Sequence, residues 1–361
     1  MLLRLVENID KSRFECTVIS ISDKGTLAPA FHALGVRVHI LGIRSLATTG
    51  KGLARLFQVL RAHPCDVLQT WLYHADFLGL VVKLLNKKAK LIWNIRCSEV
   101  RSKDVPFTTL LLIRILRLFS SVPDVVIVNS TAGLKYHKRI GYRPAEWCTI
   151  YNGFDLSRFG LDLQARKQKR VELGIDEKSP VIGFVARYDP MKDFPNFFDA
   201  MEIVAQSIPD VRIVMVGERL TPENDELVGY CQAKNIVSKA ILLGECNDIP
   251  RVLAAMDVLV SSSRSEGFPN VIGEAMASSV LCVATAVGDT EALIGDFGRI
   301  VPPRSPTALA QAVIKLLAEP EDDRKALAQK ARLHIEKRFS IASSVMEYEQ
   351  IYQIVAKGNA T

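Results

Sequence analysis

The sequence predicts an α/β fold made of two doubly wound domains that face one cleft. Short apolar, β-branched runs alternate with segments of helical spacing along nearly the whole chain, as in parallel sheets covered by helices on both faces. The 361 residues are enough for two domains with substantial cores. A polar, charged stretch at residues 157–178 predicts a linker followed by a short helix.

The first half begins with a helix, because Leu2, Leu5, Val6 and Ile9 follow helical spacing. Strands and helices alternate after it. The predicted strands are residues 14–21, 36–43, 66–71, 90–95 and 124–129. The predicted helices are residues 51–62, 75–85, 107–119 and 132–140. Buried strands that are joined by helices predict a doubly wound parallel sheet.

The second half repeats this alternation. Its predicted strands are residues 180–186, 211–216, 240–243, 258–261 and 281–285. Asp248 is the predicted cap of a helix at residues 249–256. Apolar residues at helical spacing predict a last helix at residues 341–356. The chain is thus divided into a first domain at residues 1–158, a second at residues 159–340 and a terminal segment at residues 341–361.

The net charge of +7 is unevenly distributed along the chain. Residues 1–160 hold 23 Lys and Arg against 11 Asp and Glu, a balance of +12, whereas the remainder carries −5. Such an excess favours an anionic membrane surface or an anionic substrate as a partner. Nucleic acid is not predicted, because no basic cluster is interleaved with aromatic residues in a recognisable module.

The cysteines and the apolar runs indicate the compartment. The seven cysteines are scattered and odd in number, which argues against a disulfide framework or a zinc site and predicts a reducing, cytoplasmic location. Charges at Arg4 and Glu7 come too early for the apolar core of a signal peptide. No apolar run is long enough to span a bilayer.

The loop after the strand at residues 258–261 is the most informative motif. The carboxyl end of a parallel strand is where ligands bind in open α/β sheets. Gly267 allows close approach of the backbone to a ligand, and Pro269 with Asn270 predicts a helix start. Glu266 lies in the loop and Glu274 one turn into that helix, so both carboxylates could accept hydrogen bonds from hydroxyl groups in one crevice.

Two glutamates at this spacing are, by themselves, most often solvated surface residues. The combination of strand, Ser-rich turn, Glu-Gly-Phe-Pro-Asn and Gly-Glu-Ala-Met-Ala is more specific. It resembles the paired-Glu signature of the retaining, nucleotide-sugar-dependent glycosyltransferases of the GT-B fold, family 4, and the resemblance covers nearly the whole chain. It implies two Rossmann-like domains, with the terminal helix crossing back onto the first domain.

The resemblance also implies an activity. A hexosyltransferase-like enzyme would move a sugar from a nucleotide diphosphate sugar, most often a UDP-sugar, to the hydroxyl of a saccharide or lipid-linked acceptor in polysaccharide or envelope assembly. Retention without an evident carboxylate nucleophile implies front-face attack by that hydroxyl. No metal cofactor is expected. The enzyme would be cytoplasmic and peripheral at the inner face of the membrane.

Site residues are implied position by position. Glu274 would bind the ribose hydroxyls and Glu266 the hydroxyls of the donor sugar. Arg187 and Lys192, after the strand at residues 180–186, would hold the departing diphosphate, although two cations in a loop are otherwise surface residues. His74 would contact the donor sugar; a lone histidine is more often structural or merely exposed. The remaining implied contacts are the backbone of Gly267, Phe268, Pro269, Asn270 and Val271 near the sugar, and Gly244 and Ile249 near the base.

The sequence departs from the family pattern in two places. The family opens with a strand and a Gly-rich loop before the helix at residues 2–9, and neither is present. A sheet without that inner strand would leave backbone groups unpaired at its centre, so we hypothesise that the natural protein begins upstream of Met1 or that this copy is damaged. Ser278 and Ser279 replace the usual Gly and Pro after the paired-Glu helix, and the small turn at Gly288 is kept.

Other interpretations stay open at this point. The same fold accommodates a UDP-sugar 2-epimerase, and a catalytically inactive nucleotide-sugar-binding protein would fit the missing beginning. Arg96, Glu99 and Arg101 could line an acceptor pocket. Residues 105–119, rich in Leu with Arg114 and Arg117, could form a basic helix at a membrane interface, but a buried helix has the same pattern.

Overall fold

The computed structural model describes residues 1–22, 25–100 and 105–358. The chain forms two compact units. Unit 1 comprises Met1–Gly153 together with Ile341–Thr361, and unit 2 comprises Phe154–Ser340. Arg101 lies outside the described residues.

Unit 1 alternates strands and helices and includes the last helix of the chain. Its strands are β1 (Thr17–Ser20), β2 (Arg37–Ile40), β3 (Val67–Trp71), β4 (Lys90–Ile95), β5 (Val125–Val128) and β6 (Trp147–Thr149). Its helices are α1 (Leu2–Asn8), α2 (Ala28–Ala33), α3 (Leu46–Ala62), α4 (Tyr73–Leu85), α5 (Phe107–Leu118), α6 (Thr131–Arg139) and, at the end of the chain, α15 (Ile341–Lys357).

The strands of unit 1 form two parallel sheets. β1 pairs with β2, and the other sheet has the order β3-β4-β5-β6. Among the described residues no strand joins β1 to β3, so the facing edges of the two sheets have no strand partner. The strands of unit 1 thus form two separate sheets, where the alternation predicts a single parallel sheet.

The last helix belongs to unit 1 and completes its core. Val345, Tyr348 and Val355 of α15 pack with Leu5 and Ile9 near the start of the chain. Tyr348 also accepts a hydrogen bond from the buried amide of Asn94 at 2.9 Å. α15 therefore joins the beginning of the chain to its end within one unit.

Unit 2 is a single doubly wound sheet covered by helices. Its strands are β7 (Val181–Val185), β8 (Arg212–Val216), β9 (Ala240–Leu242), β10 (Val258–Ser261), β11 (Leu281–Thr285) and β12 (Arg299–Val301). Its α-helices are α7 (Leu163–Glu172), α8 (Phe194–Ser207), α9 (Asp225–Ala233), α10 (Ile249–Ala254), α11 (Asn270–Ala277), α12 (Thr290–Ile294), α13 (Pro306–Ala318) and α14 (Glu321–Phe339). All six strands are parallel, in the order β12-β11-β10-β7-β8-β9.

The strand order of unit 2 reverses between β7 and β10. The chain runs outward from β7 through β8 to β9 and then crosses to β10 on the other side of β7. In open α/β sheets such a reversal separates the loops that follow the two strands and opens a ligand-binding crevice at their carboxyl ends. The loops after β7 and β10 are therefore the first place to look for a site.

The amino-terminal edge of the same sheet is held by a charged cluster. The Asp257 carboxylate accepts hydrogen bonds from Arg166 at 2.6 Å, from Arg170 at 2.8 Å and from the backbone N–H of Val181 at 2.7 Å. Arg170 is 3% exposed and also donates to the carbonyls of Ala255 and Ser179. The cluster fixes α7 to the starts of β7 and β10.

α11 ends where the paired-Glu helix should end, despite the missing Gly and Pro. Its last residue is Ala277, and Ser279 takes the left-handed conformation with φ 58°. The N–H groups of Ser279 and Val280 donate to the carbonyls of Met276 and Ala275. Ser279 thus closes the helix in the conformation that glycine usually supplies at this position.

Two further observations concern the whole described chain. None of the helices in residues 1–22, 25–100 and 105–358 has the length and hydropathy needed to cross a membrane. All seven cysteines, each within those ranges, are free thiols.

Candidate functional site

The loops after β7 and β10 are joined to each other by side-chain and backbone hydrogen bonds. The Ser262 hydroxyl donates to the carbonyl of Lys192 at 2.6 Å, and the backbone N–H of Arg264 donates to the carbonyl of Met191 at 2.8 Å. The Arg264 guanidinium also donates to the carbonyl of Pro190. On the other side, the Thr285 hydroxyl at the end of β11 donates to the carbonyl of Ser263 at 2.6 Å. These hydrogen bonds therefore hold the loops that border the crevice at the strand reversal in place.

Lys192 and Glu266 meet across this crevice. The Lys192 ammonium lies 2.6 Å from Glu266 Oε1, and the Ser263 hydroxyl donates to the same oxygen at 2.7 Å. Both charged side chains are mostly buried, at 23% and 15% exposure. Because both hydrogen bonds end on Oε1, Oε2 is the oxygen that a ligand hydroxyl can approach.

Arg187 lies on the open side of the same loop. Its side chain is 70% exposed and its guanidinium is 3.8 Å from Asp189 Oδ2. Asp189 Oδ1 accepts from the N–H of Met191 at 2.8 Å and so forms the turn that presents Lys192. One exposed and one mostly buried cation at a strand's carboxyl end suit a diphosphate group.

The Gly267–Asn270 segment leads into α11 as the sequence predicts. Asn270 is the first residue of α11 and Pro269 its cap. Phe268 is buried, stacks on Phe154 with 6.0 Å between ring centroids, and packs against the tilted ring of Phe339 at 5.6 Å. The phenyl ring therefore anchors the segment, and the backbone is the part that faces the crevice.

Glu274 occupies the fifth position of α11, with its side chain partly buried. It lies eight residues along the chain from Glu266, which is in the loop before α11, so the two carboxylates belong to one loop and helix. The structure brings Lys192, Glu266 and Glu274 to the carboxyl edge of unit 2. His74 belongs to unit 1.

The turn at Gly288 supports the Glu266 loop. Gly288 has φ 58°, and a Cβ placed there would lie 2.3 Å from the carbonyl oxygen of Glu266. The N–H of Asp289 donates to the carbonyl of Gly267 at 2.9 Å. The backbone at Gly288 therefore touches the backbone at Glu266, which leaves no room for a side chain.

Replacing Gly288 by Ala is expected to lower the free energy of unfolding by at least about 1–2 kcal/mol, because the left-handed conformation alone costs that much for a residue with a Cβ. Chemical denaturation measures the loss, and faster amide hydrogen exchange in residues 264–270 would locate it. Gly229→Ala is the matched control, since a Cβ at this position in α9 meets no atom within 4 Å. Equal losses in both variants would contradict the argument.

Gly244 and Ile249 border the loop after β9. Gly244 has φ 66°, and its carbonyl accepts from the N–H of Gly217 at the end of β8. Ile249 is the first residue of α10, and Asp248 caps that helix by accepting from the N–H of Arg251 at 3.4 Å. The predicted cap of α10 is confirmed. The loop follows β9, which pairs with β8 on the side away from β7.

In unit 1, His74 is exposed on the first turn of α4, at the carboxyl end of β3. Leu72 before it has φ 72°, which turns the neighbouring Tyr73 into the core. The Tyr73 hydroxyl lies 2.8 Å from His137 Nε2, and His137 Nδ1 lies 2.8 Å from the carbonyl of Gly133. Since a carbonyl only accepts, Nδ1 carries the proton and Tyr73 donates to Nε2.

Burial shifts the pKa of two buried side chains in this region in the direction that favours their neutral forms. Burial lowers the pKa of His137 to about 4, and burial raises the pKa of Asp76 well above its ordinary value although the Thr70 hydroxyl donates to it at 2.5 Å. Tyr73 and Asp76 therefore lie on the buried side of α4, and His74 lies on its exposed side. The sequence does not indicate which of Tyr73 and His74 is buried. The two residues are adjacent, and only the orientation of the first turn of α4 decides which side chain enters the core.

Arg96, which the sequence suggested for an acceptor pocket, contacts neighbouring residues of unit 1 instead of projecting freely. Its guanidinium donates to Asn152 and lies 5.1 Å from the centre of the Trp71 ring. Burial lowers its pKa. Glu99 follows it in the loop after β4.

Two residues of the site were not singled out by the sequence. Ser263 orients Glu266, as described above. Asp193 is buried in the left-handed conformation with φ 54°, and its carboxylate lies 3.8 Å from Nε of Arg264. The positive φ of a non-glycine residue has no sequence signal, although the Ser-rich turn could have suggested Ser263.

The described residues contain no group of three or more His, Cys, Asp or Glu side chains that could hold a metal ion. The charged groups that the structure gathers in unit 2 are the Lys192–Glu266 pair, Arg187 and Glu274. Two Rossmann-like units, the second with two cations and a carboxylate in the loops at its strand reversal, are the arrangement that the resemblance to GT-B glycosyltransferases implies.

Residues 165–334 match the family model described as "Glycosyl transferases group 1", and residues 1–158 match the model described as "Glycosyltransferase Family 4". The chain belongs to this family of glycosyltransferases. The family resemblance stated from the motifs is thereby confirmed.

Curated relatives and solved structures agree with this assignment. The chain is 26% identical over 257 residues to the UDP-Gal:alpha-D-GlcNAc-diphosphoundecaprenol alpha-1,3-galactosyltransferase of Escherichia coli, covering 69% of this chain and 65% of that protein. It is 23% identical over 311 residues to the N-acetyl-alpha-D-glucosaminyl L-malate synthase of Bacillus anthracis, covering 84% and 78%. The structure of Anabaena Alr3699/HepE in complex with UDP and glucose has the same fold, with a TM-score of 0.82, 22% identity and coverage of 98% and 94%.

Proposed function

We propose that this glycosyltransferase moves a hexosyl group from a UDP-sugar to an acceptor hydroxyl with retention of the anomeric configuration. The observation that carries the proposal is the Lys192–Glu266 pair at the strand reversal of unit 2. In a sugar nucleotide the diphosphate and the sugar are joined by one glycosidic bond. An enzyme that binds both parts of the donor therefore needs a cation for the phosphate next to a carboxylate for the sugar. Lys192 and Glu266 lie next to each other in this way.

The proposed reaction needs no enzyme-bound intermediate. The acceptor oxygen attacks the anomeric carbon from the face that the diphosphate leaves, the bond from that carbon to the phosphate oxygen breaks, and the phosphate oxygen takes the acceptor proton. Lys192 and Arg187 stabilise the charge that develops on the diphosphate. Glu266 holds a hydroxyl of the transferred sugar through Oε2.

The rest of the donor is assigned to neighbouring segments. Glu274 accepts hydrogen bonds from the ribose hydroxyls, and the backbone from Gly267 to Val271 contacts the sugar. The loop containing Gly244 and the start of α10 at Ile249 surrounds the base. We further propose that the two cations replace a metal ion, so that turnover persists in the presence of a chelator.

For the acceptor we propose a lipid-linked saccharide of polysaccharide or envelope assembly, met by a cytoplasmic enzyme at an anionic membrane surface. The name of the Escherichia coli relative describes a diphosphoundecaprenol-linked acceptor, and the basic excess of residues 1–160 suits an anionic surface.

Thermal unfolding with UDP, GDP and ADP tests the donor assignment. UDP at about a hundred times its dissociation constant is expected to add roughly 2.7 kcal/mol of stability, and Glu274→Ala is expected to lose most of this gain. Stabilisation by none of the nucleotides, or an equal gain in the variant, would contradict the assignment. Formation of product that requires an acceptor then separates transfer from 2-epimerisation and from mere binding.

A further inference from the structure

The turn that carries Lys192 has few hydrogen bonds of its own. Pro190–Lys192 is a single 3₁₀ turn between β7 and α8, in which the N–H of Lys192 donates to the carbonyl of Asp189 at 2.9 Å. Hydrogen bonds of this kind have poor geometry and occur in short pieces. The position of the Lys192 ammonium, 2.6 Å from Glu266, therefore depends on contacts from outside the turn.

The loop after β10 supplies these contacts. The backbone N–H of Arg264 donates to the carbonyl of Met191 at 2.8 Å, and its guanidinium donates to the carbonyl of Pro190. The Ser262 hydroxyl donates to the carbonyl of Lys192 at 2.6 Å. Each of the three carbonyls of the turn thus accepts a hydrogen bond from this one loop, and two of the three bonds come from Arg264.

Asp193, directly after Lys192, is a second contact of the Arg264 side chain. It precedes α8 at the position where an aspartate usually accepts a hydrogen bond from the first turn of the helix. Its φ is 54°, and its side chain makes no such bond. The carboxylate is 9% exposed, and its Oδ1 lies 3.8 Å from Arg264 Nε. Because a buried charge needs an opposite charge nearby, the guanidinium and this carboxylate attract the loop and the turn to each other.

The same loop also holds the partner of Lys192. Ser263 donates to Glu266 Oε1 at 2.7 Å, and Glu266 follows Arg264 by two residues. The segment from Ser262 to Glu266 thus contacts the turn and supplies the carboxylate that the Lys192 ammonium meets. A displacement of the turn from this segment therefore moves Lys192 relative to Glu266.

We propose that Arg264 is a positioning residue, which holds the turn where the Lys192 ammonium lies next to both Glu266 and the departing diphosphate. Arg264 then acts on the reaction through Lys192 and not by contact with the donor. Its guanidinium donates to a protein carbonyl and faces the Asp193 carboxylate, both of which a phosphate group would have to displace. The effect on turnover rests on the proposed function, whereas the effect on the turn does not.

A comparison of two backgrounds tests whether Arg264 acts through Lys192. Arg264→Ala in the full chain is expected to lower kcat about ten- to hundredfold, less than the loss of a group that stabilises the transition state directly. In a Lys192→Ala background the same change should lower kcat by less than about twofold, because no ammonium is left to position. A similar loss in both backgrounds would overturn the proposal, since Arg264 would then act independently of Lys192.

The rates are measured as UDP released with water as the acceptor. The donors are UDP-glucose, UDP-galactose, UDP-N-acetylglucosamine and UDP-N-acetylgalactosamine. Arg264→Lys keeps a cation for Asp193 but has fewer donors than a guanidinium. It should keep kcat within about fivefold of the parent chain, because one of the two side-chain contacts is retained. A loss equal to that of Arg264→Ala would overturn the proposal.

Amide hydrogen exchange reports on the turn in the absence of any donor. The N–H groups of Met191 and Lys192 both donate to Asp189, at 2.8 and 2.9 Å. Arg264→Ala should make these two amides exchange about tenfold faster, the equivalent of one lost hydrogen bond to a charged group. Unchanged exchange at both amides would overturn the proposal even if kcat fell.

Arg212→Ala is the matched control. The Arg212 guanidinium also donates to a carbonyl, that of Ser238 at 2.9 Å, but Arg212 is the first residue of β8 and lies at the opposite edge of the sheet. This variant should change neither kcat nor exchange in the turn. Equal effects of Arg212→Ala and Arg264→Ala would contradict a specific role of Arg264.

Failure of this proposal is distinguishable from failure of the proposed function. If the parent chain releases UDP from a donor and Arg264→Ala keeps the same kcat, the positioning role is wrong and the proposed function stands. If none of the four UDP-sugars supports turnover or raises the unfolding temperature of the parent chain, the proposed function is wrong. Exchange in the turn then still decides whether Arg264 holds Lys192 in place.

Discussion

Replacing Asp257 by Ala is expected to lower the free energy of unfolding of unit 2 by about 3–5 kcal/mol, because the change leaves a buried guanidinium without its carboxylate. Asp257 accepts from Arg166, from Arg170 and from the N–H of Val181. Arg170 is only 3% exposed, so water cannot replace the lost partner. The N–H of Val181, at the first residue of β7, loses its acceptor as well.

Hydrogen exchange in β7 and β8 measures this loss, since the most protected amides of a unit report its global stability. Tryptophan fluorescence gives an internal reference, because the three tryptophans, at positions 71, 93 and 147, all lie in unit 1. Glu172→Ala is the control. It removes the partner of Lys169 on the same helix, but Glu172 is 53% exposed, and we expect almost no change. Similar losses in the two variants would show that burial does not decide the effect.

The sequence was most informative where burial alone determines structure. β4, β10 and β11 have the predicted bounds, because each is almost entirely buried in its sheet and such strands are mostly apolar. β6 and β12 were not predicted as strands, since three residues at a sheet edge give no recognisable run. α3 begins at Leu46, five residues before the prediction, because Ser45 and Thr48 form a capping box that outweighs the weak helix formers after it.

The candidate site was predictable to the level of loops and not of contacts. That Lys192 and Glu266 follow strands could be inferred from the apolar runs before them. That they touch depends on β7 and β10 becoming neighbours although β8 and β9 lie between them in sequence. The role of Ser263 and the left-handed conformation of Asp193 depend on the same long-range pairing, which local propensity does not encode.

Glu266→Gln is expected to lower kcat by about 10²–10³-fold, the usual loss when one group that stabilises a transition state is removed. The change keeps the size of the side chain but removes the charge that holds Lys192 at 2.6 Å. The dissociation constant of UDP should change little, because UDP lacks the sugar that Oε2 is proposed to hold. Initial rates with the donor sugar and calorimetry with UDP measure the two quantities.

Glu274→Gln should show the opposite pattern. If Glu274 binds the ribose hydroxyls, the dissociation constant of UDP should rise about tenfold, the equivalent of one lost charge-assisted hydrogen bond. Its kcat at saturating donor should change much less. The two carboxylates lie on one loop and helix, so each variant is the matched control of the other. If both variants lost turnover and UDP binding to the same extent, Glu266 and Glu274 would not have the separate roles proposed for the sugar and the ribose.

A double-mutant cycle tests whether Lys192 and Glu266 act as a pair. Lys192→Ala alone should reduce kcat by a factor similar to that of Glu266→Gln, since it removes a cation from the departing diphosphate. Groups in direct contact are non-additive, so the double variant should lose much less than the product of the two factors. Additive losses would mean that the ion pair seen here does not persist in the transition state. Each side chain would then act alone, with Lys192 on the phosphate and Glu266 on the sugar.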